Sequence, residues 1–403
     1  MRITAPKVFL LLATVMLCLS ACSPTSGIFA GGNWQSSGLP HQHIRTLAVD
    51  FNNPQDIFAG GSQGKVFSRS DGGQHWAEHR TGLPPTVSIN TLSFDATGKK
   101  LYAATDAGLF VSTDAALHWI LVGKAAADQS FNYTALTFDL KAPQTIFAGT
   151  ASHGVLVSLD GGNTWSSINK GLPPATTINA LTFDVLSGQL WAATASGIYR
   201  SDNRGGSWQT FNTGLAPSVV VNSVQPDTNV IGGTKGLIFA GTDHGFYLSQ
   251  DYGAHWKTSQ ESLVGTSVHV VYVDFHKPTT VFIGTDIGAL RSDDSGQNWG
   301  SVGPGMPKDQ PVFSFAWGAS DYSQLFAAAD DVYLFPGTSG GLSLGRLVEL
   351  VIIALFFYLL YRLARRRQLN RRKKESNEPR KMPSYDVVDI LPIYCYSLRV
   401  TTT

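Results

Sequence analysis

Cysteine is missing from the body of this 403-residue chain; the only three are Cys18, Cys22 and Cys395, all near the ends. A disulfide-stapled scaffold and a thiolate zinc site are excluded there. Glutamate is almost as rare, with only Glu78 and Glu261 between residues 23 and 345. The same stretch carries 16 basic and 24 acidic residues, a net charge of −8. Without a basic face it lacks the means to neutralise phosphates, so no nucleic-acid partner is expected. No apolar period of 3.6 residues runs through it, which argues against helices. No phosphate-cradling loop occurs either, and neither a metal nor a cofactor is expected. What the chain has in quantity is glycine, 41 residues, well above the usual share of about 7%. Many tight turns follow. With 43% hydrophobic and 15% charged residues, disorder is excluded for most of the length.

The ends differ from the body. Arg2 and Lys7 precede an apolar run, Val8 to Leu19, of the length of a signal-peptide core and too short to span a bilayer comfortably. It closes on Leu19-Ser20-Ala21-Cys22, which resembles the bacterial lipobox. That resemblance implies cleavage after residue 21 and lipidation of Cys22. One lipid chain anchors weakly, and a second signal is usually needed. Leu342 to Tyr361 supplies one, an apolar stretch of 20 residues followed by Arg362, Arg365, Arg366, Arg367, Arg371, Arg372, Lys373 and Lys374. At 1.5 Å rise this crosses a ~30 Å core, with the basic cluster on the cytoplasmic side. The expected organisation is a lipoprotein-type signal peptide (1–21), a linker (22–32), the body (33–336), a linker (337–341), a C-terminal transmembrane helix (342–361) and a basic cytoplasmic tail (362–403). The body then lies on the extracytoplasmic side of a bacterial cell membrane, held there by lipidated Cys22 and the C-terminal helix.

Tryptophan spacing defines the body. Trp34, Trp76, Trp119, Trp165, Trp208, Trp256 and Trp299 are 42, 43, 46, 43, 48 and 43 residues apart. A fixed period near 44 signals stacked supersecondary units. Each unit reads as four short strands between glycine-rich turns, as in YTALTFD, TIFAGT, GVLVSLD and TWSSI. Four strands per repeat at this period make a β-propeller blade. Seven inner-strand cores occur: RTLAVD, NTLSFD, TALTFD, NALTFD, NSVQPD, HVVYVD and FSFAWG. The seventh lacks a Trp strand after it and Trp34 lacks a blade before it. The expected fold is therefore all-β, a seven-bladed β-propeller closed by its N-terminal strand, plus the C-terminal helix. Closure removes exposed sheet edges.

Before most of these tryptophans stands one turn, typified by SLDGGNTW (Ser158 to Trp165). STDAALHW, SDNRGGSW, SQDYGAHW, SDDSGQNW and RSDGGQHW repeat it, with Ala116 in place of Gly and Asn203 in place of Asp. These strings resemble the Asp-box (BNR) repeat of sialidase-type propellers. The repeats are also similar to those of the photosystem II assembly-factor family and of sortilin-type domains, which implies a protein-binding role. A short Asp accepts backbone N–H groups in a tight hairpin, Gly supplies positive φ, and Trp fills the gap between sheets. Asp71, Trp76, Asp114, Trp119, Asp160, Trp165, Trp208, Asp251, Trp256, Asp294 and Trp299 are accordingly expected to be structural.

Ligands of propellers usually sit at the mouth of the central channel. The first polar position of each inner strand is in register: Arg45, Asn90, Thr134, Asn179, Asn222, His269 and Phe313. With Arg80 of a loop toward the next blade, and Asp106, Asp243, His244 and Asp286 of the loops between second and third strands, these form a candidate funnel for a protein or glycan. A water-filled channel without a ligand fits the same residues. The sialidase resemblance implies three arginines and a tyrosine nucleophile. Only Arg45 and Arg80 of the body's six arginines fall toward the mouth, so no catalytic residue is assigned. The favoured expectation is non-catalytic binding in an assembly, scaffold or receptor role. The alternative is a surface glycoside hydrolase using paired carboxylates such as Asp243 and Asp286.

Overall fold

The computed structural model describes residues 33–70, 75–123, 131–227, 236–274, 277–318 and 324–336. The signal segment, Cys22, Asp71, both linkers, the expected transmembrane helix and the tail lie outside the described residues. Among the described residues no helix is long and apolar enough to cross a membrane.

The described chain forms seven four-stranded antiparallel sheets. Blade 1 runs Thr46–Val49, Ile57–Gly60, Val66–Arg69 and Ala77–His79 from the centre outward. The inner strands of blades 2 to 6 begin at Ile89, Tyr133, Ile178, Val221 and Val268. Blade 7 contains Ser314–Gly318, Gln324–Ala328 and Val332–Pro336, and its outer strand is the N-terminal Gln35–Ser36. Gln35 pairs with Leu334 and Ser36 with Tyr333, so the ring closes as the tryptophan spacing predicts.

The second strand of each blade reads as unbroken apolar sequence because neighbours cover both of its faces. IFAGT at Ile146–Thr150 and at Ile238–Thr242 is buried at every position. The core lies between blades: one cluster joins Phe282 of blade 6 to Phe315, Leu325 and Phe335 of blade 7 and to Trp34. Small residues in the second strands admit the next blade. A Cβ on Gly149 would sit 2.6 Å from Cγ2 of Ile178, which starts the following inner strand.

Two groups of connections divide the molecule. The Ser-x-Asp turns lie beside the turns between first and second strands, joined by Gly161 N–H to Gln144 O (2.9 Å), Tyr252 N–H to Gly236 O (3.0 Å) and Ser295 N–H to Thr279 O (2.8 Å). The loops between second and third strands lie beside the start of their own inner strand, as in Asp243 N–H to Val220 O (3.0 Å) and Asp286 N–H to Ser267 O (3.2 Å). This second side is the mouth. Pro336 ends its strand on the first side, opposite the mouth.

Candidate functional site

In five inner strands the predicted funnel position is a β-bulge: the register shifts across Asn90, Thr134, Asn179, Asn222 and His269. A bulge leaves one residue out of the ladder and re-aims its side chain. In blades 2 to 5 that side chain reaches sideways. Asn90 Nδ2 donates to Tyr133 O (2.8 Å), Thr134 Oγ1 to Ile178 O (2.5 Å), Asn179 Nδ2 to Val221 O (2.8 Å) and Asn222 Nδ2 to Val268 O (3.0 Å). Each acceptor is the residue just before the neighbour's bulge. These four polar groups, read from the sequence as funnel lining, are engaged in stitching one blade to the next.

The pattern breaks at blades 6, 7 and 1. His269 Nε2 instead meets Asp286 Oδ1 of its own blade at 2.6 Å, and its ring stands 4.9 Å from that of Phe313. Phe313, in the equivalent place on blade 7, is an exposed aromatic. Arg45 of blade 1 is exposed, and among the described residues its guanidinium has no hydrogen-bonding or ionic partner. The other arginines of the body are occupied. Arg80 pairs with Glu78 (2.6 Å), Arg204 with Asp139 and Arg291 with Asp293; Arg200 pairs with Asp202 (2.9 Å), and Arg69 lies over the Phe326 ring. Arg80 therefore joins an ion pair with Glu78 rather than standing free at the mouth.

The remaining predicted carboxylates are also engaged. Asp106 Oδ1 accepts from Ser88 N–H (3.1 Å), and Asp243 Oδ1 from Val220 N–H (3.0 Å) and His244 Nδ1 (2.8 Å). Both fasten a second-to-third-strand loop to the strand beside it. Among the described residues no group of three His, Cys, Asp or Glu side chains is placed to hold a metal ion.

Two residues of the mouth went unread in the sequence. Val264 and Ile287 are exposed and belong to the same sector. Ser267 O receives Asp286 N–H, and Val312 N–H reaches Thr285 O (3.1 Å), which brings the two loops and the Phe313 strand together. Phe313, Val264 and Ile287 are the large apolar side chains exposed on the mouth among the described residues. A signal was present: Ala107, Ser196 and His244 occupy the Ile287 position in other repeats, and only blade 6 puts a large aliphatic there.

The repeated turns have a uniform geometry. In blade 3, Ser158 Oγ donates to Asp160 Oδ1 (2.7 Å) and accepts from Gly162 N–H (2.8 Å), while Asp160 Oδ1 takes Thr164 N–H (2.9 Å). Blade 2 keeps every one of these bonds with Ala116 at φ 70°, and blade 4 keeps them with Asn203 as acceptor. Exchanging Gly or Asp there strains or neutralises the turn without altering its shape. Trp208 Nε1 finds Ile168 O (2.7 Å) and Trp256 Nε1 finds Phe211 O (2.8 Å), each across a blade boundary.

These bonds hold the turn carboxyls low. The backbone N–H and side chain of His118, with Ser112, bring Asp114 to about 2; the hydroxyl and N–H of Thr164, with Ser158, bring Asp160 to about 2; the N–H and side chain of His255 do the same for Asp251. A carboxyl more acidic folded than unfolded stabilises the fold above its unfolded value, 3.8, and that contribution fades as pH falls through about 2. Thermal melts between pH 5 and 2 should show the triple substitution Asp114→Asn, Asp160→Asn and Asp251→Asn flattening the acid limb. An unchanged slope would show that the turns do not titrate with folding.

A family profile described as the DUF6242 beta propeller domain matches residues 33–353. The photosystem II assembly lipoprotein Ycf48 of a Synechococcus strain is 28% identical over 171 residues, 41% of this chain and 50% of that protein. The chain thus matches about half the length of that curated relative. Among solved structures, YCF48 bound to D1 peptide superposes with a TM-score of 0.58 at 15% identity, over 76% of this chain and 97% of that one. The GH74 xyloglucanase from Xanthomonas campestris gives 0.58 at 14%, covering 76% and 54%. The extracellular domain of a one-component system from B. thetaiotaomicron gives 0.60 at 15%, covering 76% and 39%. At these identities the structural likenesses concern the fold, which serves an assembly protein, a xyloglucanase and the extracellular domain of a one-component system alike.

Proposed function

The chain belongs to the DUF6242 beta-propeller family, and from that premise we propose a non-catalytic, membrane-anchored, extracytoplasmic propeller that holds a protein ligand at its mouth, in an assembly, scaffold or receptor role. One observation carries the reading. Where blades 2 to 5 engage their bulge side chains in stitching, blades 7 and 1 leave Phe313 and Arg45 exposed, on the side that also exposes Val264 and Ile287. Exposed apolar groups and an unpaired guanidinium on one side of the ring have the composition of a protein-binding hot spot, in which aromatic and arginine anchors dominate. A polypeptide with apolar side chains flanking a carboxylate complements it. The relative Ycf48 is a photosystem II assembly lipoprotein, and a solved YCF48 structure is bound to D1 peptide, which favours a protein ligand over a glycan. Anchoring rests on the lipobox-like Cys22 and the apolar stretch 342–361.

Photo-crosslinking in intact cells tests this. A benzoylphenylalanine at Phe313 or Ile287 should give a discrete protein adduct, and one at Leu140, on the far side, should not give that adduct. Arg45→Glu should weaken capture roughly tenfold or more, the scale of a lost anchor. Identical adducts from both sides, or glycan turnover by the purified chain, would overturn the reading.

A further inference from the structure

The side opposite the mouth carries its own pattern. Each inner strand of blades 1 to 6 ends in an aspartate: Asp50, Asp95, Asp139, Asp184, Asp227 and Asp274. In several the carboxylate folds back on its own turn. Asp50 Oδ1 accepts Asn52 N–H (2.8 Å), Asp139 Oδ1 accepts Lys141 N–H (2.9 Å) and Asp184 Oδ1 accepts Leu186 N–H (2.9 Å). The residue at the tip of those turns is then apolar and held outward: Phe51, Leu140 and Leu186. Leu159 and Tyr252 in the adjoining Ser-x-Asp turns add to them, and all five side chains are more than half exposed. These three carboxylates are turned into the backbone while five large apolar side chains on the same side face solvent. Lys99 and Lys141 stand among them without an ionic partner among the described residues. Long lysine side chains beside protruding apolar groups are typical of surfaces that lie in a membrane interface.

We infer that this side rests on the lipid bilayer, with Phe51, Leu140, Leu159, Leu186 and Tyr252 entering the headgroup region. The reach of the chain names the occupant. Pro336 leaves blade 7 on this side, and only residues 337–341 separate it from the apolar stretch beginning at Leu342. Six Cα steps cover at most about 20 Å, so a span at 342–361 keeps this side within reach of its own membrane. Each side chain alone binds lipid weakly. The short connection raises their effective concentration at the surface, so weak insertion suffices. The inference rests on the anchoring proposed above and is independent of what occupies the mouth.

Hydroxyl-radical footprinting of the full chain in phosphatidylcholine proteoliposomes tests it. Phe51, Leu140, Leu159 and Leu186 should be oxidised roughly threefold or more slowly than in the same chain after protease release between residues 337 and 341, as expected for side chains buried in the interface. Val264, Ile287 and Phe313 should label equally in both. Equal labelling on both sides, or protection of the mouth, overturns the inference. So does protection that rises with protein-to-lipid ratio, which marks a second copy as the occupant, and so does a chain that carbonate washing strips from the vesicles. The mouth crosslinks are read separately, and their failure leaves this pattern unchanged.

Discussion

Replacing Trp34 by alanine should cost about 3–5 kcal/mol, the range for deleting a buried tryptophan. Its indole is 3% exposed and meets Phe335 edge-on at 5.2 Å. Its backbone N–H donates to Pro304 O (2.8 Å), the blade 6 loop, just as Trp119 N–H donates to Thr81 O (2.9 Å) in the uninterrupted part of the ring. The N-terminal strand thus enters blade 7 in the same way that other outer strands enter theirs, although no turn connects it. Asp331 fastens the other end of that strand. Buried beside the seam, its carboxylate accepts from Ser36 Oγ, Leu39 N–H (2.8 Å) and Val332 N–H (2.6 Å). Ser37 N–H adds Val332 O (2.8 Å). Without Trp34, two residues of ladder have to hold an edge that would otherwise be open, and exposed edges invite pairing with other chains. Urea titration of Trp34→Ala beside Ile120→Ala, an exposed outer-strand change expected within about 0.5 kcal/mol of the parent, reads the difference. A Trp34→Ala chain as stable as the Ile120→Ala chain would mean that the ring does not depend on its latch.

The repeat made the fold legible because each blade writes the same solution in the same order. Trp spacing, apolar second strands and a Ser-x-Asp-type turn before most of the tryptophans are consequences of stacking like sheets, and they survive exchanges such as Ala116 and Asn203. The mouth was legible only in position. Register placed Asn90, Asn179 and Asn222 at equivalent positions of their inner strands, but whether an amide faces a ligand or the next blade depends on a bulge that repacks one residue. Sequence alone does not carry that distinction. Arg45 stands out because Glu and Asp partners lie elsewhere, as Arg80 beside Glu78 illustrates by contrast. On the side opposite the mouth, Asp50, Asp139 and Asp184 accept N–H groups of their own turns. The apolar residues just after them escaped notice because their exposure is known only once the carboxylates are seen to bond inward.

A second element hidden in the repeat leads to the other large effect. The loops after the outer strands of blades 1, 3, 4 and 6 carry Gly82, Gly171, Gly214 and Gly305, at φ 93°, 96°, 95° and 107°. A Cβ there would lie 2.0–2.3 Å from the carbonyl oxygen of Trp119, Trp208, Trp256 and Trp34 respectively. That carbonyl cannot yield easily, since the same Trp donates its N–H to the residue just before the Gly, as Trp208 does to Lys170 O (2.8 Å). The loop and the next blade's tryptophan are clamped backbone to backbone, an approach only glycine permits. Gly171→Ala should therefore lose about 3 kcal/mol or more, from strained φ together with displacement of a neighbouring blade. Gly38 separates the two terms. It has φ 98° in the equivalent SGLP string, yet a Cβ there would meet nothing within 4 Å. Gly38→Ala then reports backbone strain alone, about 1–2 kcal/mol. The excess of Gly171→Ala over Gly38→Ala in denaturant melts measures how tightly the blades are clamped. Equal losses at the two sites would leave the strain and remove the clamp, and with it the physical reason for a glycine at that place in those four loops.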